Sequence, residues 1–152
     1  MTRGRRLIRA LAVPLLLATV ISLSAQPALA GARSQRFRNE MLRLVNQTRS
    51  SHGLHALGLN RALSREAWRH SVTMGRRFVL FHTANMSRLV QPYDARTWGE
   101  NVAYAATLRR VEQLWMQSPE HRNNLLNPAF HWGGIGVIRA RGWLWVTLQL
   151  YG

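Results

Sequence analysis

The chain contains no cysteine and no lysine, and only six of its 152 residues are acidic. Without cysteine, neither a disulfide nor a lipid-modified cysteine anchor can form. Every basic residue is an arginine, 21 in all, and the formal net charge is +15. Internal repeats and low-complexity stretches are missing. So is the nucleophile-elbow pattern G-x-S-x-G that many hydrolases carry. Beyond residue 30 there is no apolar run long enough to cross a membrane.

The first thirty residues read as an export signal. Arg3, Arg5, Arg6 and Arg9 form a positive start, Ala10 to Ala25 an apolar middle, and Ala28-Leu29-Ala30 a cleavage site. The apolar run is too short for a spanning helix, and Pro14 and Ser22 interrupt it. The expected organisation is therefore a cleaved signal peptide, 1–30, and a single domain, 31–152, that is secreted or periplasmic. The domain keeps seventeen arginines against six acids, a net of +11. A basic exported domain can meet a cell-envelope polymer or anionic lipid. The arginines are scattered rather than striped, so no nucleic-acid partner is expected.

A first helix is predicted over Ser34–Ser51, with Ser34 as cap and Phe37, Met41, Leu44, Val45 and Thr48 on its apolar face. Arg36, Arg38, Glu40 and Arg43 fall on its wet side. A link (52–59) pinned by Leu54, Leu57 and Leu59 leads to a second helix, about Arg61–Arg76, capped by Asn60. Its stripe is Leu63, Ala67 and Met74, with His70 in line as a weak site candidate. The run Phe78-Val79-Leu80-Phe81 is expected to bury and to end at His82. A short helical piece, Met86–Val90, stops at Pro92, and Glu100–Tyr104 reads as a strand with Val102 and Tyr104 on one face. Thr107 caps a helix over Leu108–Gln117. Ser118 and Pro119 open another, with Glu120 in its first turn and His121 within reach of the Ser118 side chain. The chain ends in a hairpin, Gly134–Arg139 with Trp143–Tyr151 across Arg141-Gly142. In its second strand Leu144, Val146, Leu148 and Leu150 point one way, and Trp143, Trp145, Thr147, Gln149 and Tyr151 the other. Both faces carry apolar area, so helices should cover both. The expected class is α+β: a three-layer α-β-α sandwich with a small antiparallel sheet. Most of the tryptophans, Trp98, Trp115, Trp132, Trp143 and Trp145, are expected in the core.

Chemistry alone marks His82, Glu100 and His121 only weakly. They are distant in sequence, and no His-x-x-x-His pair of the zinc type is present. Larger motifs sharpen the reading. L-V-N-Q-x-R-x-x-x-G-L (44–54), A-x-x-H-S-x-x-M (67–74), Phe81-His82, G-E-N-V-A (99–103), W-M-x-S-P-x-H-R-x-N-L-L-N-P (115–128) and G-I-G-V (134–137) occur in order. Together they resemble the CAP superfamily of cysteine-rich secretory, antigen 5 and pathogenesis-related proteins, and more closely its exported bacterial SCP-like members. The resemblance covers essentially the whole domain and implies an α-β-α sandwich with a cleft lined by two histidines and two acids. His82 matches the first histidine, Glu100 the first acid and His121 the second histidine. The second acid position falls at Ser118. Glu112 and Glu120 are nearby acids at non-matching positions.

Two imidazoles facing a carboxylate could hold Zn2+ or another divalent cation, with Ser118 or water completing the set. They could act as an acid–base pair, or form a polar network that fixes the cleft. Asn101 and Ser118 are suited to orient the histidines. A serine triad is disfavoured because Ser118 is better placed as a helix cap. Two functions remain: a binding module for cell-envelope or lipid-like ligands, supported by the export signal, the basic surface and the tryptophans, or a metal-assisted or acid–base hydrolase of envelope or peptide material that uses His82, Glu100 and His121.

Overall fold

The computed structural model describes the backbone from Ala25 and the side chains from Gly31 onward. The positive start and most of the apolar middle of the expected signal lie outside the described residues. Helix α1 spans Ala25–Ser51 and runs through Ala28-Leu29-Ala30 without a break. Ser34 is therefore inside the helix instead of capping it. Its hydroxyl donates to the Val137 carbonyl at 3.3 Å.

A two-residue strand β1 (Gly58–Leu59) follows, then α2 (Arg61–Arg77), α3 (Met86–Val90) and a 3-10 turn at Gln91–Tyr93. Strand β2 (Trp98–Ala105), α4 (Leu108–Gln117), α5 (Pro119–Leu125), β3 (Trp132–Ala140) and β4 (Trp143–Tyr151) complete the order. The caps form where the side chains allow. Asn60 accepts from the Leu63 amide at 2.9 Å, and Thr107 from the Arg110 amide at 3.1 Å.

The sheet is four-stranded and mixed, in the order β1-β3-β4-β2. The three long strands are antiparallel, while β1 pairs with β3 in parallel. The link 52–59 carries a strand only at Gly58–Leu59, made by tertiary bonds: Gly58 N–H to the His131 carbonyl at 2.8 Å and Asn60 N–H to the Gly133 carbonyl at 2.9 Å. The β3–β4 turn is closed by Arg141 and Gly142, both at positive φ (49° and 84°), as a two-residue hairpin requires.

The strands divide the molecule into layers. Leu144, Val146, Leu148 and Leu150 join Ile135 and Val137 on the face covered by Met41, Leu44 and Val45 of α1, Val111 and Trp115 of α4 and Leu125 of α5. The opposite face receives α2. Gly136 lets it come close: a Cβ there would lie 2.2 Å from the backbone of Ala67 and Trp68. Further along, Met74, Val102 and Trp145 form a separate cluster. The α-β-α sandwich is thus the observed fold.

Two expectations about burial fail. Phe78, Val79 and Leu80 are 41%, 55% and 40% exposed, because α2 ends at Phe78 and the chain turns outward there. Trp98, Trp132 and Trp143 are also exposed, and only Trp115 and Trp145 of the five named tryptophans are buried. Trp98, Trp132 and Trp143 stand at strand starts, where no layer covers them. Arg38, placed on the wet side of α1, is half-buried, with its Nε shielded from solvent.

Candidate functional site

The site is built on β2. Period-two alternation puts Trp98, Glu100, Val102 and Tyr104 on the face that meets α2. Gly99 leaves room for Asn124 of α5, whose side chain would lie 2.7 Å from any Cβ at that position. The G-E-N sequence therefore brings α5, and His121 with it, against the strand that carries the carboxylate. Asn101 secures this junction. Its amide donates to the His121 carbonyl at 2.9 Å and its oxygen accepts from Asn124 at 2.9 Å.

Glu100 is buried and accepts four hydrogen bonds. Oε1 takes the His82 Nδ1–H at 3.0 Å and the Thr83 backbone N–H at 2.8 Å. Oε2 takes the Thr83 hydroxyl at 2.5 Å and the Gln149 amide at 3.1 Å. Burial pushes this carboxyl up, but the bonds from Thr83, Gln149 and His82 outweigh it and hold it below the usual carboxylate range. An ionised carboxylate can only accept, so Nδ1 of His82 carries a proton and its Nε2 edge points away from Glu100. The His82 side chain is 60% exposed, against 5% for Glu100.

His121 faces His82 across the cleft, with ring centroids 6.4 Å apart. Burial lowers the His121 pKa, His82 lowers it further, and Glu120 opposes both. The ring is therefore neutral at pH 7. The cleft holds about 270 Å³ and is also lined by Met86, Trp98 and Glu120.

The fold thus brings His82, Glu100 and His121 together from three separate elements. It does not build a three-ligand metal set from them. All four lone-pair directions of Glu100 are engaged, which leaves none for a cation. Among the described residues, no group of three or more His, Cys, Asp or Glu side chains is placed to hold a metal ion. The donors do not fit tetrahedral Zn2+ bound by His82, Glu100 and His121.

Ser118 does start α5, but through its backbone. Its carbonyl accepts from the Arg122 amide at 2.8 Å, and its side chain makes no capping bond. It does not line the cleft, so the expected contact with His121 is replaced by that of Asn101. His70 bonds the Phe81 carbonyl at 2.8 Å and meets the Phe81 ring edge-on. It props the segment that delivers His82. Glu112 bonds Thr48 on the other side of the sheet. The roles of Thr83 and Gln149 at Glu100 are not visible in the sequence. The available signal for Gln149 was an amide on a strand face otherwise made of Trp, Thr and Tyr.

The sequence model of the family "CAP: Cysteine-rich secretory protein family" matches residues 42–150. YkwD of Bacillus subtilis is 30% identical over 125 residues, which is 76% of this chain and 47% of that protein. Human Golgi-associated plant pathogenesis-related protein 1 is 31% identical over 113 residues, 72% of this chain and 68% of that one. Among solved structures, an extracellular SCP-domain protein of Bacillus anthracis superposes with a TM-score of 0.70 at 24% identity, over 82% of this chain and 43% of that one. The chain thus spans about half the length of YkwD and less than half of the B. anthracis protein.

Proposed function

We propose that this chain, which belongs to the CAP family of cysteine-rich secretory proteins, is an exported binding module. Its His82–Glu100–His121 cleft takes the polar part of a cell-envelope or lipid-like ligand. The observation that supports this reading is the saturated carboxylate of Glu100. With four bonds accepted, Glu100 orients His82 and has no lone pair left for a reaction step. No serine or cysteine nucleophile lines the cleft, and the Thr83 hydroxyl is already committed to Glu100. What remains exposed is the Nε2 edge of an oriented His82 ring opposite the His121 ring, which suits recognition of a hydroxyl or amide.

Export would follow from the N-terminal signal, with cleavage after Ala30. The extracellular description of the B. anthracis protein accords with it. Mass spectrometry of the exported form should give Gly31 as its first residue. The binding test is His82→Ala with His121→Ala, probed with an envelope lipid extract and with purified cell-wall polymer. Both side chains are partly exposed, so the melting temperature should change by only a few degrees. Binding should fall at least tenfold. Unchanged binding to both probes would remove the cleft from the account.

A second reading, acid–base hydrolysis, has one observation in its favour. A carboxylate holding Nδ1 of a histidine whose Nε2 is open can position that ring to take a proton from water. Turnover of envelope or peptide material by the wild type, abolished by His82→Ala with folding intact, would establish it over the binding module.

A further inference from the structure

We propose that two adjacent turn tips, the end of α2 and the β3–β4 hairpin, form a docking surface for an anionic lipid membrane. Phe78, Val79, Leu80, Tyr104 and Trp143 are each between 38% and 55% exposed. The three rings meet in series, and Val79 and Leu80 follow Phe78 directly along the chain. The Phe78 and Tyr104 rings are 6.1 Å apart, and Tyr104 and Trp143 are 5.7 Å apart at 82°. Beneath them lies the buried Trp145, stacked on Tyr104 at 4.6 Å and edge-on to Phe78 at 5.3 Å. The rings therefore stand on a rigid base. An exposed apolar cluster of this kind marks an interaction site.

The charge around it identifies the partner. The Arg141 guanidinium lies 5.2 Å over the Phe78 ring, and that of Arg77 lies 5.7 Å over Phe81. Arg76 adds a third cation in the last turn of α2. No carboxylate belongs to either tip. The nearest along the chain are Glu66, three turns back on α2, and the buried Glu100, four residues from Tyr104. Tyr and Trp side chains with polar ends, two exposed aliphatic residues and a rim of one sign suit the headgroup region of an anionic bilayer.

The backbone adds an independent indication. Of the three non-glycine residues at positive φ among the described residues, two are Phe78 (57°) and Arg141 (49°). A bulky ring is an uncommon choice at a left-handed helix end, where glycine or asparagine serves better. Here it projects an aromatic residue outward.

The proposal goes beyond the cleft reading and does not rest on it. It adds a spatial relation, because Tyr104 and Glu100 share one face of β2, about 13 Å apart. A membrane held at the tips would lie close to the mouth of the cleft.

The test is sedimentation of the exported protein with vesicles of phosphatidylcholine alone, or with phosphatidylglycerol added. All variants carry the same N-terminus. The wild type should partition onto the phosphatidylglycerol vesicles and be released by salt. Val79→Asp with Leu80→Asp changes only exposed side chains and should lower the partition coefficient at least tenfold. Arg141→Gly should lower it about fivefold while raising the melting temperature, because glycine relaxes the positive φ. The control Trp68→Ser, an exposed tryptophan elsewhere on α2, should bind normally, as should His82→Ala with His121→Ala. No binding by the wild type would overturn the proposal. So would unchanged binding by Val79→Asp/Leu80→Asp, an equal loss in Trp68→Ser, or full competition by soluble polyphosphate, which would reduce the effect to net charge. Loss in the histidine variant alone would assign the lipid to the cleft instead.

Discussion

Among the described residues two charged side chains are buried, and each makes four hydrogen bonds. Arg49, at the end of α1, is 1% exposed. Its Nε donates to the His55 carbonyl at 2.9 Å and its Nη1 to Leu125 and Asn127 at 2.8 and 3.0 Å. Its Nη2 donates to Phe130 at 2.9 Å. All four partners are backbone carbonyls, and none is a carboxylate. Glu100 also makes four bonds, but three come from side chains and one of those is the exposed His82. The arginine ties the link after α1 to the end of α5 and the loop that follows it, and is shut off from solvent. One of the glutamate's hydrogen bonds leads outward to an exposed imidazole. A buried charge paired only with backbone holds a fold, whereas one paired with an exposed titratable ring makes a site.

That contrast can be broken most severely at Arg49. Arg49→Met should remove about 3–5 kcal/mol of stability, because four backbone carbonyls, two of them in fully buried bonds, lose their donor. Urea denaturation would measure it, and a loss under about 1 kcal/mol would contradict the role given to Arg49. Glu100→Gln keeps the shape but turns an amide nitrogen toward the donors of Thr83, Gln149 or His82. A loss of about 1–3 kcal/mol is expected, along with weaker binding in the cleft.

Acid should separate the two centres without mutation. The Glu100 carboxyl is lower in the fold than its unfolded value of about 4.3, so its stabilisation is complete above that pH. It is lost as pH falls through the lower folded value. His121 is also lowered, from about 6.5, so the fold favours its neutral ring. That contribution is complete above about pH 6.5 and declines below it. Arg49 stays charged throughout this range. Denaturation midpoints should therefore drop gently below about pH 6.5 and steeply below about pH 4. Glu100→Gln should flatten only the second drop. The smallest effect is expected for His82→Ala, under about 0.5 kcal/mol, because most of the ring is in water.

The helices and the hairpin were legible in sequence because each has its own period and its own cap. Asn60, Thr107, Pro119 and Arg141-Gly142 fix their elements locally. The sandwich followed from the two apolar faces of β4. The site trio was legible only through motifs, since residues 82, 100 and 121 share no local spacing. Three features were hidden. β1 is two residues held by bonds to β3, with no pattern of its own. The apolar run at 78–80 looks like core, but none of the described elements packs over it and solvent meets it. Thr83 and Gln149 read as ordinary strand and loop residues until the carboxylate they serve is placed between them.

The absent methyl group at residue 136 has a reach well beyond its own strand. Restoring it, as Gly136→Ala, would force the axis of α2 outward by roughly an ångström to recover ordinary contact with Ala67 and Trp68. Phe78 and the segment ending at His82 hang from the far end of that helix. The spacing between the two imidazoles is thus calibrated by a hydrogen atom on the strand beneath, so a single small substitution could retune the pocket without touching anything that lines it.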